Sequence, residues 1–203
     1  MANHEISLFI GGKDAPLEAQ VWTNNESSMV GIMCHPHSLK GGDMGNKVVT
    51  TVTRAWQTLG WSTVRFNFRG VGQSLGVFDE GIKEQEDLAA VVAWVKAHFP
   101  GQSIAIGGFS FGAFVALAYS QREVPSILLL VAPPIGHFPV APLKLPNTRV
   151  LIVVAGEDEV VSTPEILAWV AGQEVAALLN IPEASHFFHG KLVLLKKFIL
   201  ENT

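Results

Sequence analysis

The chain has 203 residues, 48% of them hydrophobic and only 16% charged, a composition that excludes intrinsic disorder. Fourteen basic against eighteen acidic residues leave a formal charge of −4 with no basic cluster, which speaks against nucleic acid or an anionic membrane surface as partner. The single cysteine, Cys34, excludes an intrachain disulfide and any zinc site built on cysteine pairs.

These features suit a reducing compartment. The opening residues carry Glu5 and lack both a basic segment and a long apolar stretch, so they do not read as a signal peptide, and a cytoplasmic location is the expectation. The longest apolar run, 127–135, is interrupted by Pro133 and Pro134 and falls short of the about 20 residues a membrane helix needs. A soluble chain with no membrane partner is expected. The positive mean hydropathy of +0.31 then calls for parallel strands buried on both faces, which read as continuous apolar runs.

In chain order, 5–10, the turn Gly11-Gly12 and 17–23 read as an antiparallel hairpin at a sheet edge. Strand-like apolar runs follow at 29–34, 63–68, 103–107, 126–131, 150–155 and 175–180. Helical periodicity fills several gaps: Val48, Val49, Val52, Trp56 and Leu59; then Leu88, Val91, Val92, Val95 and Phe99; and finally Leu192, Leu195 and Ile199. The stretch 111–119 is apolar nearly all round, the mark of a central buried helix. Strands alternating with helices predict an α/β fold: a mostly parallel, doubly wound sheet with helices on both faces. No repeat or linker divides the chain, so residues 1–203 are expected to form a single domain. Ligands of such sheets bind at the carboxyl ends of the strands, which directs attention to the loops that follow them.

The loop after the central strand reads Gly108-Phe109-Ser110-Phe111-Gly112. Gly-x-Ser-x-Gly between a strand and a helix describes a sharp turn whose flanking glycines avoid side-chain clashes and whose serine hydroxyl is lifted above the sheet edge. The helix that follows presents its N-terminus to any oxyanion forming there. A serine needs a histidine base oriented by a carboxylate, and in this motif class the chain order is Ser, acid, His. Beyond Ser110 the only aspartate is Asp158, just past the run 150–155, with Glu157 and Glu159 beside it as alternative acids. Beyond Asp158 the only histidines are His186, past the run 175–180, and His189. The loop after the first parallel strand, Cys34-His35-Pro36-His37-Ser38, is where a second oxyanion amide belongs, the first being that of Phe111. Pro36 has no N–H, which leaves His37, with Ser38 as the alternative. Cys34 reads as buried packing. His35-x-His37 and His186-x-x-His189 lack the neighbouring carboxylate of a known zinc motif, so no metal is expected.

Two other motifs fail. Gly70-Val71-Gly72-Gln73-Ser74-Leu75-Gly76 approaches a dinucleotide fingerprint, but its third glycine falls one position late, and no ribose-binding acid follows a second strand. No Gly-x4-Gly-Lys-Ser/Thr phosphate loop exists. No cofactor is implied.

Taken together, His35–His37, Asn67-Phe68-Arg69-Gly70-Val71-Gly72-Gln73-Ser74, Gly108–Gly112 and Ser185-His186-Phe187-Phe188 resemble the motifs of short, lid-poor bacterial α/β-hydrolases, and the likeness spans essentially the whole chain. The resemblance implies Ser110 as nucleophile, Asp158 as acid and His186 as base, with Asn67 and Arg69 bracing loops. Ser38 departs from it, standing where such sequences usually carry proline. Larger members insert a lid between the sixth and seventh strands. Here only 132–149 is available, too short for a lid domain, so the site is expected to be open or covered by Phe138, Val140 and Leu143, with Phe109 also at the substrate. The implied activity is hydrolysis of small acyl esters, thioesters or short peptides through an acyl-enzyme. A non-catalytic binding protein of the same fold, or a cofactor-free acyltransferase or perhydrolase with the same triad, are the competing readings. The sequence does not set the oligomeric state.

Overall fold

A computed structural model describes residues 5–11, 15–140 and 142–203. Among them, eight strands form one sheet: β1 (Glu5–Ile10), β2 (Leu17–Trp22), β3 (Met29–Cys34), β4 (Ser62–Phe66), β5 (Ser103–Phe109), β6 (Ile127–Val131), β7 (Arg149–Ala155) and β8 (Ala177–Ile181). Their order is β1-β2-β4-β3-β5-β6-β7-β8. β1 and β2 form the expected antiparallel edge hairpin, and β2 also runs antiparallel to β4. From β4 through β8 every pairing is parallel. Gly12 of the expected hairpin turn lies outside the described residues.

The helices are α1 (Lys47–Thr58), α2 (Lys83–His98), α3 (Phe111–Ser120), α4 (Thr163–Val170) and α5 (Leu192–Asn202). α2, α3 and α4 pack on one face, where Leu88, Val92, Val115 and Ile166 meet Ile32, Ile106, Leu128 and Ile152. α1 and α5 cover the other, where Val52, Trp56, Leu195 and Ile199 meet Met33, Ala105, Leu129 and Val153. Successive residues of the inner strands thus alternate between two apolar layers. This arrangement is the source of the positive hydropathy.

The expected strand 63–68 ends two residues early. Asn67 donates its N–H to Glu18 O, and the Phe68 N–H goes to a side chain, so neither continues the parallel ladder. α4 was not expected, although its N-terminal signal is present. The Ser162 hydroxyl accepts from the Glu165 amide, Pro164 stands in the first turn, and Ile166 and Val170 are buried. Between β6 and β7 the described residues form turns and no helix, so no lid domain is built there. No helix among the described residues is long and apolar enough to cross a membrane.

Tight packing on the α1 face depends on missing side chains. The buried Trp56 indole lies over Gly31 and Gly107, and a Cβ on Gly107 would come within 2.8 Å of it. The loops above the sheet are held by buried polar groups instead. The His35 ring donates from Nδ1 to Pro36 O (2.6 Å) and accepts at Nε2 from the Phe68 amide (3.0 Å), tying the loop after β3 to the loop after β4. Asn67 joins Glu18 Oε2 (2.8 Å) to the Met44 amide (2.8 Å). Arg69 grips the Asp87 carboxylate through Nε and Nη2, at 3.0 and 2.6 Å. Asn67 and Arg69 therefore brace loops, as their sequence context suggests.

Burial pushes the His35 imidazolium from its usual 6.5 down to about 4, against the opposing pull of the Pro36 carbonyl and Asp43. The unfolded chain takes up this proton near pH 6.5 and the folded chain only near 4. Between those values the unfolded state binds more protons, so stability falls as pH is lowered through that window, by up to about 3 kcal/mol from this group. In NMR titration the His35 ring should stay neutral and Nδ1-protonated at pH 5.5, while the urea midpoint drops from pH 7 to pH 5. A His35 ring that titrates near 6.5 would show that the bridge does not hold in solution.

Candidate active site

The site begins at a backbone crossing. Ser110 joins β5 to α3 with φ 53° and ψ −119°, a left-handed conformation that costs a non-glycine residue about 1–3 kcal/mol. Its amide donates to Val131 O on the neighbouring strand, and its carbonyl accepts from Ala113 and Phe114 at the start of α3. The turn leaves no space for side chains on either flank. A Cβ on Gly108 would collide with the Gly112 carbonyl, and one on Gly112 would lie 2.5 Å from Cys34 O. Phe111 provides the first amide of α3, which has no partner within the helix.

His186 follows β8 and Asp158 follows β7. The structure brings both to Ser110: His186 Nε2 lies 3.1 Å from Ser110 Oγ, and His186 Nδ1 lies 2.8 and 3.0 Å from the two Asp158 oxygens. The Asp158 side chain has no exposed surface and that of His186 only 3%. Asp158 Oδ1 also accepts from the Val160 and Val161 amides at 2.8 and 2.7 Å. Burial alone would raise the Asp158 carboxyl. The hydrogen bond to His186, then the Val161 amide, the His186 charge and the Val160 amide outweigh it, and the group is held below the usual carboxylate range.

The alternative residues fall elsewhere. His189 is exposed and packs beside Phe187, outside the cleft. Glu157 is exposed as well. Glu159 has a role that its sequence neighbourhood did not reveal: Oε2 accepts the His186 backbone N–H at 3.0 Å, so this surface carboxylate anchors the loop that carries the imidazole.

Ser110 and His186 open into a cleft of about 380 Å³. Phe111, Pro134, Phe138, Val160, Val161 and Phe187 give it apolar walls, and the loop after β3 closes it with Pro36, His37, Lys40, Gly41 and Gly42. Residues Ser38–Lys40 form one 3₁₀ turn capped by His37, whose Nδ1 accepts the Leu39 amide. The His37 ring lies among Phe78, Phe111 and Phe138, at 4.8, 5.3 and 5.9 Å. Burial lowers its basicity, and the charge of Lys40 adds to that effect against the opposing charge of Glu84. His37 thus stands beside the cleft together with Phe111. The hydroxyl of Ser38 is buried and has no hydrogen-bond partner among the described residues.

Of the four residues expected at the substrate, only Phe138 lines this cleft. Phe109 is wholly buried as the last residue of β5 and supports the His186 ring from 5.1 Å. Val140 points into the core on the α2–α3 face. Leu143 lines a separate surface groove with Trp169 and Gln173. The loop after β6 lines the cleft with Pro134, His137 and Phe138 and then turns away, with hydrogen bonds from Val140 N to Phe138 O and from Leu143 N to Val140 O.

The family model for X-Pro dipeptidyl-peptidase (S15 family) matches residues 13–135. An uncharacterized protein of Rickettsia prowazekii (strain Madrid E) is 31% identical over 169 residues, covering 78% of this chain and 69% of that one. A solved α/β serine hydrolase without lid from Xanthomonas campestris aligns with 100% of this chain and 94% of its own, at TM-score 0.92 and 37% identity. An α/β serine hydrolase homologue from Coxiella burnetii gives TM-score 0.91 and 40% identity, over 100% of this chain and 98% of its own. The fold is therefore shared with these two solved structures, the Xanthomonas one likewise without lid, and the chain belongs to the S15 family within the α/β-hydrolase superfamily of serine hydrolases.

Proposed function

We propose that the protein cleaves small acyl esters or thioesters through an acyl-enzyme on Ser110, with His186 as general base and acid and Asp158 as the orienting carboxylate. The observation that carries this reading is the relay of contacts from Ser110 Oγ to His186 Nε2 (3.1 Å) and from His186 Nδ1 to Asp158 (2.8 Å). Asp158 is acceptor-only when ionised, so it selects the tautomer with hydrogen on Nδ1 and a lone pair on Nε2 facing the serine. As Oγ bonds to the acyl carbon, its proton passes to Nε2 and the carbonyl electrons move to oxygen. The amides of Phe111 and His37 are the proposed donors to that oxyanion. Collapse expels the leaving group, which takes the proton from Nε2. Water then repeats the sequence on the acyl-enzyme and restores Ser110. The apolar walls and modest volume of the cleft support a short acyl group over a long lipid chain.

Ser110→Ala should lower ester turnover by about 10⁴- to 10⁶-fold while far-UV circular dichroism stays unchanged. On p-nitrophenyl esters of graded acyl length, the wild-type rate should peak at short chains, and a fluorophosphonate probe should label the wild type alone. A wild type that neither turns over the esters nor takes the probe would favour a binding protein on this fold.

The other site residues should rank by what they touch. His186→Ala should match the loss from Ser110→Ala, and His189→Ala should be close to wild type, because only His186 reaches the hydroxyl. Asp158→Asn should cost up to about 10⁴-fold, since the amide favours the wrong tautomer. Glu157→Gln and Glu159→Gln should each cost less than about tenfold, the amide oxygen of the latter still accepting the His186 N–H. Steady-state kinetics on one short ester check the order, and equal losses at His186 and His189 would refute the assignment of the base.

A further inference from the structure

We infer that the cleft selects substrates carrying a negative charge on one side of the scissile bond, with Lys40 as the residue that receives it. This rests on the reading of Ser110 as nucleophile and adds a substrate class to it. The described residues lining the cleft include one formally charged side chain besides the imidazoles, that of Lys40, and no carboxylate. The chain as a whole carries −4, so a cationic lining is a local reversal of its net sign. Lys40 has no ion pair among the described residues, as is also true of Lys47, Lys144 and Lys196, but of these four only Lys40 lines the cleft.

The acidic groups near the cleft each accept hydrogen bonds from other groups. Asp158 is buried behind His186 and bonded to it, and Glu159 is tied to the His186 backbone beside Val160 on the opposite wall. Asp43 accepts from the Gly45 amide, and Glu84, fully buried, accepts from the Asp79 and Gly81 amides. The lining is therefore cationic at the Lys40 end, with Asp43 of the same loop outside it, while the Asp158 carboxylate lies behind the imidazole. At the positive end Gly41 adds no side chain, and a Cβ built there would meet nothing within 4 Å, which leaves space for a carboxylate, sulfonate or phosphate. Asn46 lines the same end, and with its Oδ1 accepting the Val48 amide, its NH₂ group is left as a donor. A substrate with an ammonium group, such as the N-terminus of a peptide, would meet Lys40 instead of a carboxylate. Peptides with a free N-terminus are then disfavoured substrates.

Two matched ester pairs test this in the intact chain. 4-Acetoxybenzenesulfonate against 4-(methylsulfonyl)phenyl acetate places the charge on the leaving group. p-Nitrophenyl 4-sulfobenzoate against p-nitrophenyl 4-(methylsulfonyl)benzoate places it on the acyl side. For an exposed lysine, kcat/KM should favour the anionic member of at least one pair by about three- to fivefold at low salt, and the preference should shrink toward unity near 1 M salt. Lys40→Gln should abolish the preference, Lys40→Glu should reverse it and Lys40→Arg should keep it, whereas Lys197→Gln on α5 should leave it unchanged. Turnover of both pairs without charge preference overturns this inference and leaves the nucleophile assignment standing. Failure to turn over any ester or to take a fluorophosphonate probe overturns both.

Discussion

The structure depends most on a close approach of backbones at the centre of the sheet. β3, β5 and the first turn of α3 come together so closely that Gly108 and Gly112 have no space for even a methyl group. The Gly112 backbone rests against the carbonyls of Cys34 and His35, which brings the loop after β3 and the N-terminus of α3 to the same point. Ser110 is the residue left at the apex, and its positive φ is the geometric cost of turning from strand to helix within one residue. α3 then crosses the middle of the sheet with all ten of its residues buried, which explains why its sequence is apolar on every side.

The remaining machinery is held by polar groups buried in loops. Such groups are costly unless paired, and here the pairing also sets position. His35 joins the loops after β3 and β4, Asn67 adds β2 and the approach to α1, and the Arg69–Asp87 pair fastens the Gly-rich loop to α2. The strands carrying Ser110, Asp158 and His186 supply a rigid base. The side chains of Ser110 and His186 are 76 positions apart in the chain and 3.1 Å apart in space. Further strain accompanies them: Ala132, after β6, and Phe188, just after His186, also adopt positive φ. Left-handed residues grouped around a site held by strand ends are what a preorganised constellation looks like, since the surrounding packing must over-determine them.

Family membership and the shared lid-less sheet account for the architecture and the broad class, a serine hydrolase. The one lysine lining the cleft sits on the 3₁₀ turn after β3. Scaffold and the proposed charge selectivity thus lie on different elements, the first on strands packed on both faces, the second on a short loop that can vary without disturbing them.

Much of this was legible before any coordinates. Continuous apolar runs marked strands buried on both faces, because such strands have no polar face to show. The flanking glycines marked the elbow, because only glycine tolerates that crowding. Chain order and strand ends pointed to Asp158 and His186. α4 was legible in principle through Ser162, Pro164 and Glu165, but its short apolar face gave little periodicity to notice. What only the tertiary structure decided is which neighbours face inward once a loop is folded. Phe138 reaches the cleft, while Val140, two residues on, enters the core, and Phe109 supports the imidazole from below. Glu159 reaches a backbone amide that lies 27 residues later in the chain. Strands and helices impose a period on the side chains that follow from them, so their faces can be read from sequence. Irregular loops impose none, and the direction of each loop side chain is set by the long-range contacts that form when the sheet assembles.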